Sequence, residues 1–296
     1  MKVNLHTHTP RCRHASGSER EYIEAALAAG LTTLGFSDHA PMIFAEPSYY
    51  STMRMHPEEL AGYVEALLSG FAEGKFELMG GNYYMPGLEK SYAYPKYNAG
   101  YSKSVLLALR EEYRGRIDLR IGLELEYYPD RFGPTCEFLA QFPLDYLILG
   151  QHYLFNEIGS AYVASGTTDP ALLRAYADQC CAGMETGRFT YLAHPDVFRF
   201  DGDPKCYRTE MERLCRCAIE TGTPLELNLL GASAGRHYPT ERFWAIAGEI
   251  GNPTVLGCDA HKPSAIPSPE AEARCRALAR RFSLPLLEDI PLRKPF

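Results

Sequence analysis

Seven short apolar runs recur along this chain, and helix-length amphipathic stretches separate most of them. The runs fall at residues 2–5, 32–37, 119–125, 146–149, 191–193, 225–227 and 254–256. Strands alternating with helices build βαβ units, in which the strands pair in parallel. The helix boundaries carry their own chemistry. Ser18 and Glu21 have the spacing of a capping box, and Gly30 closes that helix. Prolines open helices over 57–71, 170–186, 204–221 and 269–282, and a further helix is expected over 240–250. One segment breaks the alternation. Residues 72–102 are rich in Tyr and Gly and too long for an ordinary connection. They read as a surface insertion with a small hairpin, or as an aromatic lid. Residues 285–296 read as a final short strand or an arm.

The residues at the end of each strand constrain the chain further. His6 and His8 sit two residues apart, a spacing that puts both rings on one face of a strand. His14 lies in the next loop. His39 comes after the second run, Glu124 and Glu126 end the third, and His152 comes after the fourth. His194 succeeds the fifth, Asn228 ends the sixth, and Asp259 and His261 succeed the seventh. In a closed or nearly closed α/β barrel these strand ends converge on one face, where active sites form. A lone His-x-His pair means little, and His14 or His39 alone would pass for a loop histidine. One ligand-type residue after every strand is a different matter. Imidazoles and carboxylates gathered this way suit zinc, manganese or iron. His56 and His237 lack this placement. Only one of the two glutamates is expected at the centre, and the Gly122-Leu-Glu124 setting selects Glu124. Glu126 is then expected to face the helices or to pair with an arginine.

Composition narrows the function classes. The 296 residues, 46% hydrophobic and 23% charged, suit a single α/β barrel domain over 1–296. The formal net charge of −7 argues against nucleic acid or an anionic membrane as partner. No run is long enough to span a bilayer, which takes roughly 18 apolar residues. Nothing after Met1 reads as a signal peptide. The nine cysteines form no disulfide framework, so Cys180-Cys181 and Cys215-x-Cys217 read as packing thiols of a cytoplasmic protein.

These motifs resemble those of the PHP (polymerase and histidinol phosphatase) superfamily, and most of all its histidinol-phosphate phosphatase branch. The resemblance rests on His6-Thr-His8, Cys12-Arg-His14-Ala15, Ser37-Asp-His39, Gly122-Leu-Glu124, His152, His194-Pro-Asp196, Glu226-Leu-Asn228 with Tyr238-Pro239, and Gly257-Cys-Asp259-Ala-His261. It runs from residue 6 to residue 261, in the family's order. It implies a distorted (β/α)7 TIM-like barrel with a trinuclear metal site. The implied ligands are His6, His8, His14, His39, Glu124, His152, His194, Asp259 and His261, with Glu124 bridging two of two to three divalent ions. It further implies a hydrolase that converts L-histidinol phosphate to L-histidinol and phosphate in histidine biosynthesis. The insertion near 72–102 departs from that branch and puts the leaving alcohol in question. Other phosphomonoesters, a nucleotide phosphodiester, phosphotyrosine, or a noncatalytic metal-binding role are the competing readings. The sequence leaves the oligomeric state open.

Phosphate monoesters repel nucleophiles and have poor leaving groups. Divalent ions answer both problems by acidifying water and neutralising phosphoryl oxygens. Arg199 and Arg236 are the expected anion contacts. Asn228 is expected to orient substrate or a ligand. Asp38 and Asp196 are expected to fix ligands, to hold the substrate amine, or to protonate the leaving oxygen.

Overall fold

The fold is given by a computed structural model that describes residues 1–43, 54–68, 77–79, 94–96, 112–155 and 160–296. Seven strands form one parallel sheet: β1 (Val3–Asn4), β2 (Thr33–His39), β5 (Asp118–Leu125), β6 (Tyr146–Leu149), β7 (Phe189–Leu192), β8 (Leu225–Asn228) and β9 (Thr254–Gly257), side by side in that order. Within the insertion, β3 (Glu77–Met79) pairs antiparallel with β4 (Tyr94–Lys96), the small hairpin expected there. The rest of 72–102, and with it the lid reading, lies outside the described residues. The first and last strands of the parallel sheet meet beyond their ends. Thr7 bridges Ala260, the His8 amide donates to the Ala260 carbonyl at 2.9 Å, and the Ala260 amide donates to the His6 carbonyl at 3.3 Å. The sheet is thus a nearly closed α/β barrel, as expected.

Helices clothe the barrel where the sequence signals place them. In α1 (Glu19–Ala28) Ser18 and Glu21 form the reciprocal capping box. The helices α2 (Pro57–Leu68), α4 (Pro170–Glu185), α5 (Pro204–Glu220) and α8 (Pro269–Arg281) each begin on proline, and Asp169, Asp203 and Ser268 cap the last three. The helix α7 (Glu241–Ile250) also forms. Two further helices carried no clear advance signal. The first, α3 (Phe132–Leu139), lacks a side-chain cap and contains Gly133-Pro134, which reads as a turn. The second, α6 (Leu229–Ala234), is six residues long and starts after Asn228, whose side chain caps it.

The barrel interior explains two glycines. The Tyr146 ring crosses the barrel, and its hydroxyl donates to the Leu5 carbonyl at 2.8 Å. A Cβ on Gly35 would collide with that hydroxyl, and one on Gly122 would collide with the ring. Leu5, Tyr146, Ile148, Tyr191, Ala193, Val255 and Ile290 fill the interior. Ile290 belongs to the C-terminal arm, which pairs with Thr254 through Leu286. The arm reading of 285–296 therefore holds. The larger hydrophobic cluster lies between sheet and helices and contains Cys180, Cys181, Cys215 and Cys217. All nine cysteines are free thiols, and these four pack, as expected. Among the described residues no helix is long and apolar enough to cross a membrane.

Candidate metal centre

The strand ends bring the predicted residues to one buried cluster. Past β1, the His6 and His8 rings stand 5.1 Å apart. A one-turn 3-10 helix, Pro10–Cys12, comes next, and Arg13 adopts φ 60°. That reversal returns His14 to the site, where its Nε2 lies 2.7 Å from His261 Nε2. His39 ends β2 directly beside Glu124 on β5.

Glu124 is the centre of the arrangement. Its Oε2 lies 3.5 Å from Nε2 of both His6 and His8 and 3.1 Å from His39 Nδ1. Its Oε1 lies 3.0 Å from His194 Nε2 and 3.7 Å from His152 Nε2. One carboxylate thus faces two groups of imidazoles, as a bridging ligand would. Gly150 leaves the room for it, since a Cβ there would collide with Oε1. Asp259 supplies the second acid. Its Oδ1 lies 3.2 Å from His8 Nε2 and 3.6 Å from His6 Nε2. Both His194 (φ 29°) and Asp259 (φ 48°) hold left-handed backbone conformations. Such strain concentrates where function fixes a side chain.

The electrostatics fit a metal. Burial opposes ionisation of Glu124, yet His39, His152 and His6 hold its carboxyl well below the usual carboxylate range. Burial likewise opposes ionisation of Asp259, and His6, His8 and His261 overcome it. Burial keeps His39 and His261 neutral and lowers His14 to about 4. For His6 burial is opposed by Glu226, Asp259 and Glu124, and the acids win, so that the ring sits where positive charge is favoured, as a cation would find it. Meanwhile His6 Nε2, His8 Nε2, His39 Nδ1 and Glu124 Oε2 are buried without a hydrogen-bond partner. Buried polar atoms are costly when unsatisfied. Neutral imidazoles and ionised carboxylates with unused lone pairs converging on one space are a donor set for divalent cations. Triads of these residues with ligand atoms within 4.8 Å of one another include His6–His194–Asp259, His6–His8–Glu124, His8–Asp259–His261 and His39–Glu124–His152.

The remaining predicted residues divide. Glu126 lies two residues beyond Glu124, just past the end of β5, a spacing that turns both side chains to the same side. It pairs with buried Arg54, as expected, but its Oε1 also lies 3.2 Å from His152 Nδ1. Asp38 accepts from the Thr9 amide at 2.7 Å, the Thr9 hydroxyl at 2.6 Å and the Cys12 thiol at 2.7 Å. It braces the loop behind His8 and is itself fully buried. Asp196 accepts from the Thr240 amide at 2.5 Å, tying the His194 loop to the start of α7. Asn228 spends its polar atoms within the protein. Its Nδ2 donates to Glu226 at 3.0 Å and Asp259 at 3.1 Å, and its Oδ1 accepts from the Gly231 amide. These hydrogen bonds run to Glu226, Asp259 and the Gly231 amide, in line with the expectation that it orients a ligand-type carboxylate. Arg236 donates to the Tyr238 hydroxyl at 2.8 Å, and Asp259 acts on its charge. Arg199 is half-exposed and ion-paired with Asp201 at 3.2 Å.

Two motif residues have contacts that the sequence did not assign. Cys12 Sγ lies 3.2 Å from His8 Nδ1, and Glu226 Oε1 lies 2.7 Å from His6 Nδ1. Glu226 had a legible cue: it stands two residues before Asn228 on one strand, hence on the same face.

Comparison with known proteins agrees with this geometry. The family model for the PHP domain matches residues 4–229. A protein named "Probable histidinol-phosphatase" from Deinococcus radiodurans is 28% identical over 280 residues, covering 88% of this chain and 86% of its own. A histidinol-phosphatase from Bacillus subtilis is 27% identical over 159 residues, covering 52% of this chain and 45% of its own. A similar fold is seen in the crystal structure of histidinol phosphate phosphatase from Lactococcus lactis, complexed with zinc, L-histidinol and phosphate. It superposes with a TM-score of 0.64 at 16% identity, over 98% of this chain and 96% of that one. With ligand-type residues at its strand ends and a family match over most of its length, the chain belongs to the PHP domain family.

Proposed function

We propose that this protein is a metal-dependent phosphatase that hydrolyses L-histidinol phosphate to L-histidinol and phosphate. The observation that carries the reading is Glu124, one buried carboxylate facing His6, His8 and His39 with one oxygen and His152 and His194 with the other. The relatives named as histidinol-phosphatases supply the substrate class.

Two to three divalent ions, zinc, manganese or iron, would be held by His6, His8, His14, His39, Glu124, His152, His194, Asp259 and His261. When bound, such ions acidify water and screen phosphoryl oxygens. The chain's own part is to position. Glu124 and Asp259 fix the spacing of the imidazoles. Arg236, which donates to the Tyr238 hydroxyl and feels the charge of Asp259, would donate to a phosphoryl oxygen. Arg199 would have to leave Asp201 to do the same. Water adds to phosphorus, the bond from phosphorus to the alcohol oxygen breaks, and the alcohol departs with a proton. The nine free thiols support a reducing, cytoplasmic setting.

The test is steady-state phosphate release by protein of known metal content. A panel of L-histidinol phosphate, other small monoesters, a nucleotide phosphodiester and a phosphotyrosine peptide separates the substrates. Highest kcat/KM on L-histidinol phosphate supports the reading. Higher efficiency on another member transfers the site to that substrate.

A further inference from the structure

Glu226 is a completely buried carboxylate that the reaction itself does not need, and every contact it makes leads to a candidate ligand. Its Oε1 lies 2.7 Å from His6 Nδ1. Its Oε2 accepts from the His194 backbone amide at 2.9 Å and from Asn228 Nδ2 at 3.0 Å. The same Asn228 nitrogen reaches Asp259 at 3.1 Å. One side chain therefore ties together a ring, a strained loop and a second acid. His6, His194 and Asp259 are also one of the triads able to hold a single ion. The fold makes room for this carboxylate, because a Cβ on Gly257 would collide with Glu226 Oε1.

From this geometry we infer that Glu226 is a positioning residue that assembles the His6–His194–Asp259 metal site by fixing the proton of His6 on Nδ1. An acceptor at Nδ1 keeps the proton there and leaves the Nε2 lone pair facing the centre. Carboxylates behind metal-binding histidines have this effect on tautomer and ring orientation. The left-handed backbone at His194 is held from the same carboxylate. The inference rests on the metal-dependent reading above.

Glu226→Gln separates positioning from mere support. The glutamine oxygen can still accept from the His194 amide and Asn228. Its NH2 then faces His6 Nδ1 and forces the ring proton onto Nε2, which removes the ligand atom. The experiment titrates chelator-stripped protein with Co2+, reading the visible d–d absorption and the equivalents bound. Far-UV circular dichroism is read alongside. Wild-type protein is expected to fill its sites. Glu226→Gln is expected to bind one ion on the order of 10–100-fold more weakly, with an altered cobalt spectrum and unchanged secondary structure. Gly257→Ala, which crowds the carboxylate without altering it, is expected to shift the same ion in the same direction. It carries the test if Glu226→Gln fails to fold. A wild-type cobalt isotherm and spectrum in the folded variant would overturn the role of Glu226. Failure of the wild-type chain to bind Co2+ would instead overturn the metal reading on which it rests.

Discussion

His8 Nε2 lies 3.2 Å from Asp259 Oδ1, across the seam where the first and last strands of the barrel meet. Residues from opposite ends of the barrel sequence thus complete one centre only when the barrel closes. Folding and metal binding are therefore expected to be coupled in this chain. Ions that bind only the folded state stabilise it by mass action. Stripping metal with a chelator is expected to lower Tm by several degrees, and adding back a divalent ion to restore it. Equal Tm with and without metal would contradict the coupling.

The two glutamates of β5 and its end are expected to fail differently. Glu124→Gln should lose bound metal and phosphatase activity together, because no other described group faces both sets of imidazoles. Glu126→Gln removes one carboxylate of a buried ion pair with Arg54, and breaking such a pair costs on the order of 3 kcal/mol of stability. Metal analysis beside urea denaturation distinguishes the two. Full metal content in Glu124→Gln would remove Glu124 from the centre.

Asp196 should impose a pH dependence on stability. Burial raises its carboxyl from the ordinary 3.8 to about 6. Protonated Asp196 therefore favours the folded state. That contribution is complete below about pH 4 and is lost as pH rises through about 6. Between those limits wild type should lose about 3 kcal/mol relative to Asp196→Asn, which stays neutral. Parallel stability curves from pH 4 to 7 would show that Asp196 keeps its ordinary pKa in the folded protein.

The arginines differ in what surrounds them. Arg236→Ala should raise KM for the phosphomonoester roughly tenfold, the loss of one charge-assisted hydrogen bond, at constant metal content. Arg199→Ala should raise it less, since Arg199 is half-exposed and already paired with Asp201. Equal effects would place both on the phosphate, and an unchanged KM in Arg236→Ala would return that residue to its tyrosine partner.

Much of this was legible in the sequence because strand ends are where a barrel concentrates chemistry. His6, His39, His152, His194 and Asp259 each lie at or just past a strand end, and all reach one cluster. The parts that stayed hidden have physical reasons. The Gly122-Leu-Glu124 setting chose Glu124 over Glu126 for the centre, but a two-residue spacing turns both to one face, and the grip of Glu126 on His152 depends on a neighbour that the sequence does not show. The partners of Asn228 were hidden because a sequence does not show that Gly231, Glu226 and Asp259 surround its amide. The part played by Glu226 was hidden by its place one layer behind the ligands. Gly150 and Gly257, which make room for Glu124 and Glu226, have meaning only once the neighbouring strand is known. The helix α3 was missed because its Gly-Pro pair mimics a turn.

The most direct measurement is phosphate release from L-histidinol phosphate by one preparation assayed as isolated, after chelation, and after return of zinc, manganese or iron. A centre built on Glu124 predicts turnover that disappears with the metal and returns with it, at two to three ions per chain. Turnover that survives complete metal removal, or its absence in fully loaded protein, would contradict a metal-dependent histidinol-phosphate phosphatase.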